Sequence, residues 1–277
     1  MLKVSKHLSI LTNEIIEALQ VKDGGAYADA TFGGGGHTKA ILEASAPTGT
    51  VMAFDLDPEA EIFAEGIERL TFVQDSYTAL DQYYGNFDGI VFDLGFSSDQ
   101  LEGGNRGFSF QKKDEPLDLR YDSSNGQTAA QFLSQAPLPR IEEVFREYAE
   151  DRYWRKLAAQ ITAGRRANPI RTVGDFIGYV NNESPKVLAP LFQALRIEVN
   201  HELENVKHGL LAAKDALKPS GRLAVITFHS LEDRIVKEFF RSGGWELVTK
   251  KPITPTATEI TQNPRSRSAK LRVATKI

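Results

Sequence analysis

The chain has 277 residues, 41% of them hydrophobic and 25% charged, with a formal net charge of −4. That suits one large globular domain or two modest ones, and the small negative charge gives no global pull toward a polyanion. Without cysteine there are no disulfides, thiolate metal sites, iron–sulfur clusters or cysteine nucleophiles; no apolar run is long enough to span a membrane.

The N-terminal segment is amphipathic, with Ile10, Leu11, Ile15, Ile16 and Leu19 apolar and Asn13, Glu14 and Glu17 between them. It does not read as a signal peptide, so a cytoplasmic protein is expected. Strand-like apolar runs follow at Ala26–Phe32, Thr50–Asp55, Leu70–Val73 and Phe87–Leu94. Helical stretches separate them, among them His37–Ala44 and Pro58–Ile67, the second opening on a proline suited to the first helical position. A helix over Glu202–Leu217 leads to a fifth strand, Gly221–Phe228, and then a helix over Leu231–Arg241. Trp245–Lys250 and Leu271–Lys276 supply a closing antiparallel hairpin. Short apolar strands alternating with helices predict an α/β fold on a doubly wound, largely parallel sheet.

The stretch from Leu94 to Gly221 is far longer than the roughly 2–6 residues that usually join α/β elements, so it holds an insertion. It opens on a glycine-rich loop, Leu101–Phe110, and turns helical over Arg140–Ala149, Arg152–Gly164, Val173–Val180 and Pro190–Arg196. The expected division is residues 1–111 with 198–277 as the main domain and 112–197 as a small helical one. Basic residues gather between Arg140 and Arg171, where acids interleave them, and again at Arg265, Arg267, Lys270, Arg272 and Lys276. Such clusters either cradle phosphates or form solvated faces.

The most informative segment is Phe32-Gly-Gly-Gly-Gly-His37-Thr38, between the first strand and the next helix. Successive glycines let the backbone turn tightly and approach a ligand where a Cβ would intrude. Asp55 closes the second strand about 20 residues further on, the spacing at which nucleotide-binding α/β folds read a ribose. The dinucleotide pattern G-x-G-x-x-G fails, because Thr38 or Lys39 stands at its last position. Acids at successive strand ends, Asp29, Asp55, Asp75 and Asp93, favour a cationic ligand such as S-adenosylmethionine over the anionic NAD. Asp also terminates strands and caps helices for purely structural reasons. His37, His201, His208 and His229 share no metal-ligand spacing, so no metal is expected. Gly95-Phe-Ser97-Ser-Asp99 lacks the second glycine of a nucleophile elbow.

Several strings together resemble the MraW-like family of ribosomal RNA small-subunit methyltransferases. They include Asp29-Ala-Thr-Phe-Gly-Gly-Gly-Gly-His37-Thr38, Phe54-Asp-Leu-Asp-Pro58, Phe92-Asp-Leu-Gly-Phe-Ser-Ser98 and Arg106-Gly-Phe-Ser-Phe110. Pro116-Leu-Asp-Leu-Arg120, Ala194-Leu-Arg-Ile-Glu-Val-Asn200, the run from Phe228 to Lys237 and that from Asn263 to Arg272 continue the match. The resemblance implies a class I, Rossmann-like methyltransferase sheet with an inserted helical substrate-recognition domain. It implies methyl transfer from S-adenosylmethionine to N4 of one cytidine in the decoding region of 16S rRNA. The implied partners are that RNA and the small ribosomal subunit; the sequence leaves the oligomeric state open, a homodimer being one option. The implied cofactor contacts are Gly35, Gly36, His37, Asp55, Tyr77, Asp93 and Gln100; Tyr77 stands where the family commonly has Phe. Phe96, Asp99 and the segment Val187–Phe192 depart from the family strings.

An exocyclic amine is a weak nucleophile, because its lone pair is delocalised into the ring. Transfer needs an acceptor for an amine hydrogen and an in-line approach to the methyl group. Asp93 is the candidate catalytic residue. Arg106, Arg120, Arg196, Arg265 and Arg267 are the candidate phosphate contacts. His229 is expected to meet the substrate or to orient its turn, and Phe96, Phe108 and Phe110 to stack on a base or to pack in the core. The alternatives are a methyltransferase on another RNA and an NAD-linked oxidoreductase on a similar sheet, since fold alone does not fix chemistry.

Overall fold

The computed structural model describes residues 9–95, 105–149 and 154–277. The chain divides into two compact units, Met1–Ser97 with Leu203–Ile277 and Ser98–Glu202.

The first unit is built on seven strands: β1 Ala26–Asp29, β2 Thr50–Phe54, β3 Leu70–Val73, β4 Phe87–Asp93, β5 Leu217–Thr227, β6 Trp245–Leu247 and β7 Lys270–Lys276. Their order is β3-β2-β1-β4-β5-β7-β6. The first five are parallel, and β7 runs antiparallel between β5 and β6. The expected hairpin is therefore present, with β7 rather than β6 against the parallel strands. Both sheet faces are covered. In β4, Ile90 and Phe92 enter one apolar cluster with Leu210, Val225 and Val236, while Val91 enters the other with Ile15, Ile41 and Ala224. A strand buried on both sides reads as continuous apolar sequence, which is how β4 shows itself. The N-terminal helix α1, Thr12–Leu19, buries Ile15, Ala18 and Leu19.

Two elements differ from expectation. Pro58–Ile67 shortens to a 3-10 turn, Pro58–Phe63, capped by the Asp57 side chain accepting from the Glu59 amide. Gly66 in the left-handed region then turns the chain away, and only Ala60 is buried in the turn, so there is too little apolar face to extend a helix. The strand expected from Gly221 begins at Leu217. Its pairing with β4 jumps from Phe87–Leu217 to Gly89–Arg222, so Lys218–Gly221 form a bulge.

The second unit is helical: α3 Ala129–Gln135, α4 Leu138–Val144 continued by a π turn to Ala149, α5 Trp154–Gly164, α6 Val173–Val180 and α7 Pro185–Asn200. Helix α2 is Gly36–Ala44 of the first unit. The sequence reading missed α3, a two-turn helix with a Thr128–Gln131 capping box. It also started α7 at Pro190. Pro185 takes the first helical position instead, and buried Leu188, Leu191, Phe192 and Leu195 carry the helix past Pro190, outweighing one lost backbone bond. The unit also begins before residue 112 and ends after 197. Gly107 N–H donates to Glu115 at 3.0 Å, Leu119 N–H donates to the Arg106 carbonyl at 2.9 Å, and Arg196 is tied to Glu202.

Gly35 precedes α2 with φ +76, and a Cβ there would lie 2.8 Å from the Phe32 ring. Gly35→Ala is expected to cost about 1–3 kcal/mol, read as a lower Tm. Gly85→Ala, also at positive φ (+64) but facing open space, should cost less; equal losses would show that the ring contact does not matter.

Candidate cofactor and active site

The strand order reverses between β1 and β4, and in open α/β sheets the crevice beyond the carboxyl ends at such a point is where ligands bind. Asp29, Asp55 and Asp93 end or follow β1, β2 and β4, side by side. Asp29 is fully buried. It accepts from Thr38 Oγ1 at 2.7 Å and from the Thr31 amide at 3.2 Å, and burial raises its pKa above the usual carboxylate range despite those bonds. Asp55 accepts from the Gly33 amide at 2.7 Å and the Asp57 amide at 2.9 Å. Burial still pushes it up to about 6, desolvation outweighing two backbone donors. The glycine turn is thus pinned to the neighbouring strand end by its own backbone, with Gly33 at φ +51.

His37 lies in the first turn of α2 and is 4% exposed. Its Nε2 is 3.3 Å from Asp93 Oδ2. Burial opposes protonation, but the bond to Asp93 and the charges of Asp93 and Asp29 outweigh it, leaving the pKa raised. The imidazole therefore engages Asp93, and the loop presents backbone to the crevice. Asp93 is held from behind, its own amide donating to Thr31 Oγ1 at 2.6 Å. Gly36 is compact by necessity, since a Cβ there would overlap the Ser9 side chain.

Tyr77 follows β3 and packs edge-on against Phe92, centroids 5.3 Å apart. Its ring occupies the space that a Cβ at Gly209, in α8 (Glu202–Ala216), would fill. Sequence reasoning missed this glycine, and a lone glycine inside a helical pattern was the available signal. Thr31 and Thr38, which bind Asp93 and Asp29, stand in the quoted loop string but carried no assigned role. Asp75, the fourth strand-end acid, is exposed and accepts from the Ser76 amide. Gln100, Phe96 and Asp99 lie outside the described residues.

Three of the expected phosphate contacts are engaged inside the second unit. Arg106 is 7% exposed and donates to the Tyr121 carbonyl at 2.7 Å. Arg120 is bidentate on Asp118 at 2.6 and 2.9 Å, and buried Arg196 is bidentate on Glu202 at 2.7 and 3.0 Å. Each of these side chains thus has a partner within the unit. Phe108 stacks on Tyr121 and Phe110 packs edge-on against Phe192, so both are packing residues. His229 is the N-cap of helix α9, Ser230–Arg241, its Nδ1 accepting from the Glu232 amide at 3.4 Å; it orients the turn. Arg265 and Arg267 are exposed on a 3-10 turn, Pro264–Ser268, anchored by buried Ser266.

A family model described as the MraW methylase family matches residues 4–277. The ribosomal RNA small subunit methyltransferase H of Parabacteroides distasonis is 40% identical, covering 98% of this chain and 97% of its own length. That of Thermomicrobium roseum is 43% identical, covering 98% and 94%. A crystal structure of TrmN from Thermus thermophilus overlays at TM-score 0.49 with 12% identity, covering 96% of this chain and 48% of that one.

Asp55 accepts hydroxyl donors best when ionised, and its pKa stands at about 6. Calorimetric affinity for S-adenosylmethionine is expected to be about tenfold weaker at pH 5 than at pH 8, with Asp55→Asn abolishing this component. A flat profile in the unsubstituted protein would refute the assignment. Gly209→Ala, though favoured by helix propensity, should displace Tyr77 and weaken that affinity several-fold, while Gly178→Ala, which meets open space, should not.

Proposed function

The chain belongs to the MraW methylase family, and we propose on that footing that it transfers a methyl group from S-adenosylmethionine to N4 of a cytidine in the decoding region of 16S rRNA. The observation that carries this reading is the trio Asp29, Asp55 and Asp93 set around a glycine turn at the sheet's switch point. A cationic donor is the ligand such an edge suits, whereas three carboxylates would repel a pyrophosphate.

The residues present fit that donor. A Cβ at Gly35 or Gly36 would run into Phe32 or Ser9, so both positions stay bare and the backbone at Gly35, Gly36 and His37 is left to meet its methionine end. The Asp55 carboxylate suits the ribose hydroxyls, and the aromatic face of Tyr77 suits the adenine. Bound there, the donor supplies an electrophilic methyl on a sulfonium that leaves as a neutral thioether. Asp93 is the group assigned to the reacting amine. Accepting an N4–H hydrogen bond, it localises the nitrogen lone pair, stabilises the positive charge that the amine gains as the methyl leaves sulfur, and takes up the proton that the amine then loses. The target base must leave its stack to reach the site, which unpaired RNA allows at small cost. The helical unit supplies RNA recognition in this reading, and ribosomal substrate implies a cytoplasmic enzyme.

Mass spectrometry of nucleosides from undermethylated small subunits should show N4-methylcytidine only when this protein and the donor are both supplied; its absence would overturn the reading. Replacing Arg265 and Arg267 together by Gln should weaken RNA binding and reduce its logarithmic salt slope by about 1–2. Unchanged binding would assign both to structure.

A further inference from the structure

We propose that His37 is a positioning residue for the transfer, acting on the reacting amine through the Asp93 carboxylate. The proposal rests on the reading that Asp93 faces that amine. His37 and Asp93 come from different elements, α2 and the end of β4, and meet at 3.3 Å through Nε2 and Oδ2. A carboxylate only accepts, so the shared hydrogen is carried by Nε2. With the Asp93 amide fixed on Thr31 Oγ1 at 2.6 Å, this second anchor sets the rotation of the carboxylate about its side-chain bonds. Asp29, buried behind and held by Thr38 and Thr31, adds negative charge that favours a hydrogen-bonded imidazole over an apolar ring.

A space-filling role explains less. His37 Nδ1 is buried and has no partner, a cost of about 1–3 kcal/mol that Leu or Phe would avoid. The ring's one polar engagement among the described residues is Asp93. What offsets the unmatched nitrogen is a carboxylate held in a single orientation, as transfer to an aimed lone pair requires.

A double-mutant cycle tests this, using His37→Leu, Asp93→Asn and the double variant, with methylation of undermethylated small subunits and donor affinity by calorimetry. His37→Leu should lower kcat about 100-fold with a much smaller change in donor affinity. It should cost nothing further once Asp93 is Asn. His37→Gln, which keeps an amide N–H, should recover most of kcat, and His37→Ala replaces the Leu variant in the cycle should that one not fold. Multiplicative losses, or equal falls in kcat and donor affinity, would overturn the proposal.

A second readout needs no turnover. In the donor-free protein, 15N spectra of labelled histidine should show His37 as the Nε2–H tautomer, and Asp93→Asn should lower its apparent pKa. An unmoved His37 signal would overturn the coupling. Unsubstituted protein that forms no N4-methylcytidine would instead overturn the functional reading, while the spectra still decide whether the two side chains are coupled.

Discussion

Like charge crowded at one sheet edge is the constraint around which the first unit is organised. Asp29, Asp55 and Asp93 end adjacent strands, and burial raises Asp29 and Asp55 above the ordinary carboxylate range. Separate donors offset the repulsion. Gly33 and Asp57 amides serve Asp55, Thr31 and Thr38 serve Asp29, and the His37 imidazole serves Asp93. Several of these donors lie within one short loop, so the loop conformation and the charge arrangement are a single feature. Of the glycines, Gly33 takes part directly, its amide donating to Asp55 from a positive-φ conformation.

The same edge has an energetic logic for a cationic ligand. Desolvated carboxylates with raised pKa values store unfavourable desolvation and mutual repulsion, and a positive charge arriving beside them relieves both. Beyond the acids, Tyr77 is seated in a notch left by Gly209 and braced by Phe92.

The second unit uses its arginines differently. Arg106, Arg120 and Arg196 are engaged by a carbonyl, by Asp118 and by Glu202. Breaking such pairs one-sidedly would leave a poorly compensated charge, costly where it is buried as in the Arg196–Glu202 pair. The exposed basic character that remains in the first unit includes Arg265 and Arg267, on a turn whose own fold is fixed by Ser266 donating to the Asn263 carbonyl.

By itself the sequence determined the strands, their parallel arrangement and the glycine turn with its row of acids, because burial on both faces and successive glycines leave local, contiguous signals. The helix that the reading missed, Ala129–Gln135, has only seven residues, too few to display a period. Tertiary structure alone decided which way each charged side chain faces. A motif string gives Arg196 or His229 a residue type and a place, but whether it meets solvent, Glu202 or a helix cap depends on partners brought near by folding. The same holds for His37: its loop position was legible, whereas its pairing with Asp93, 56 residues away in sequence, exists only once β1 and β4 lie side by side.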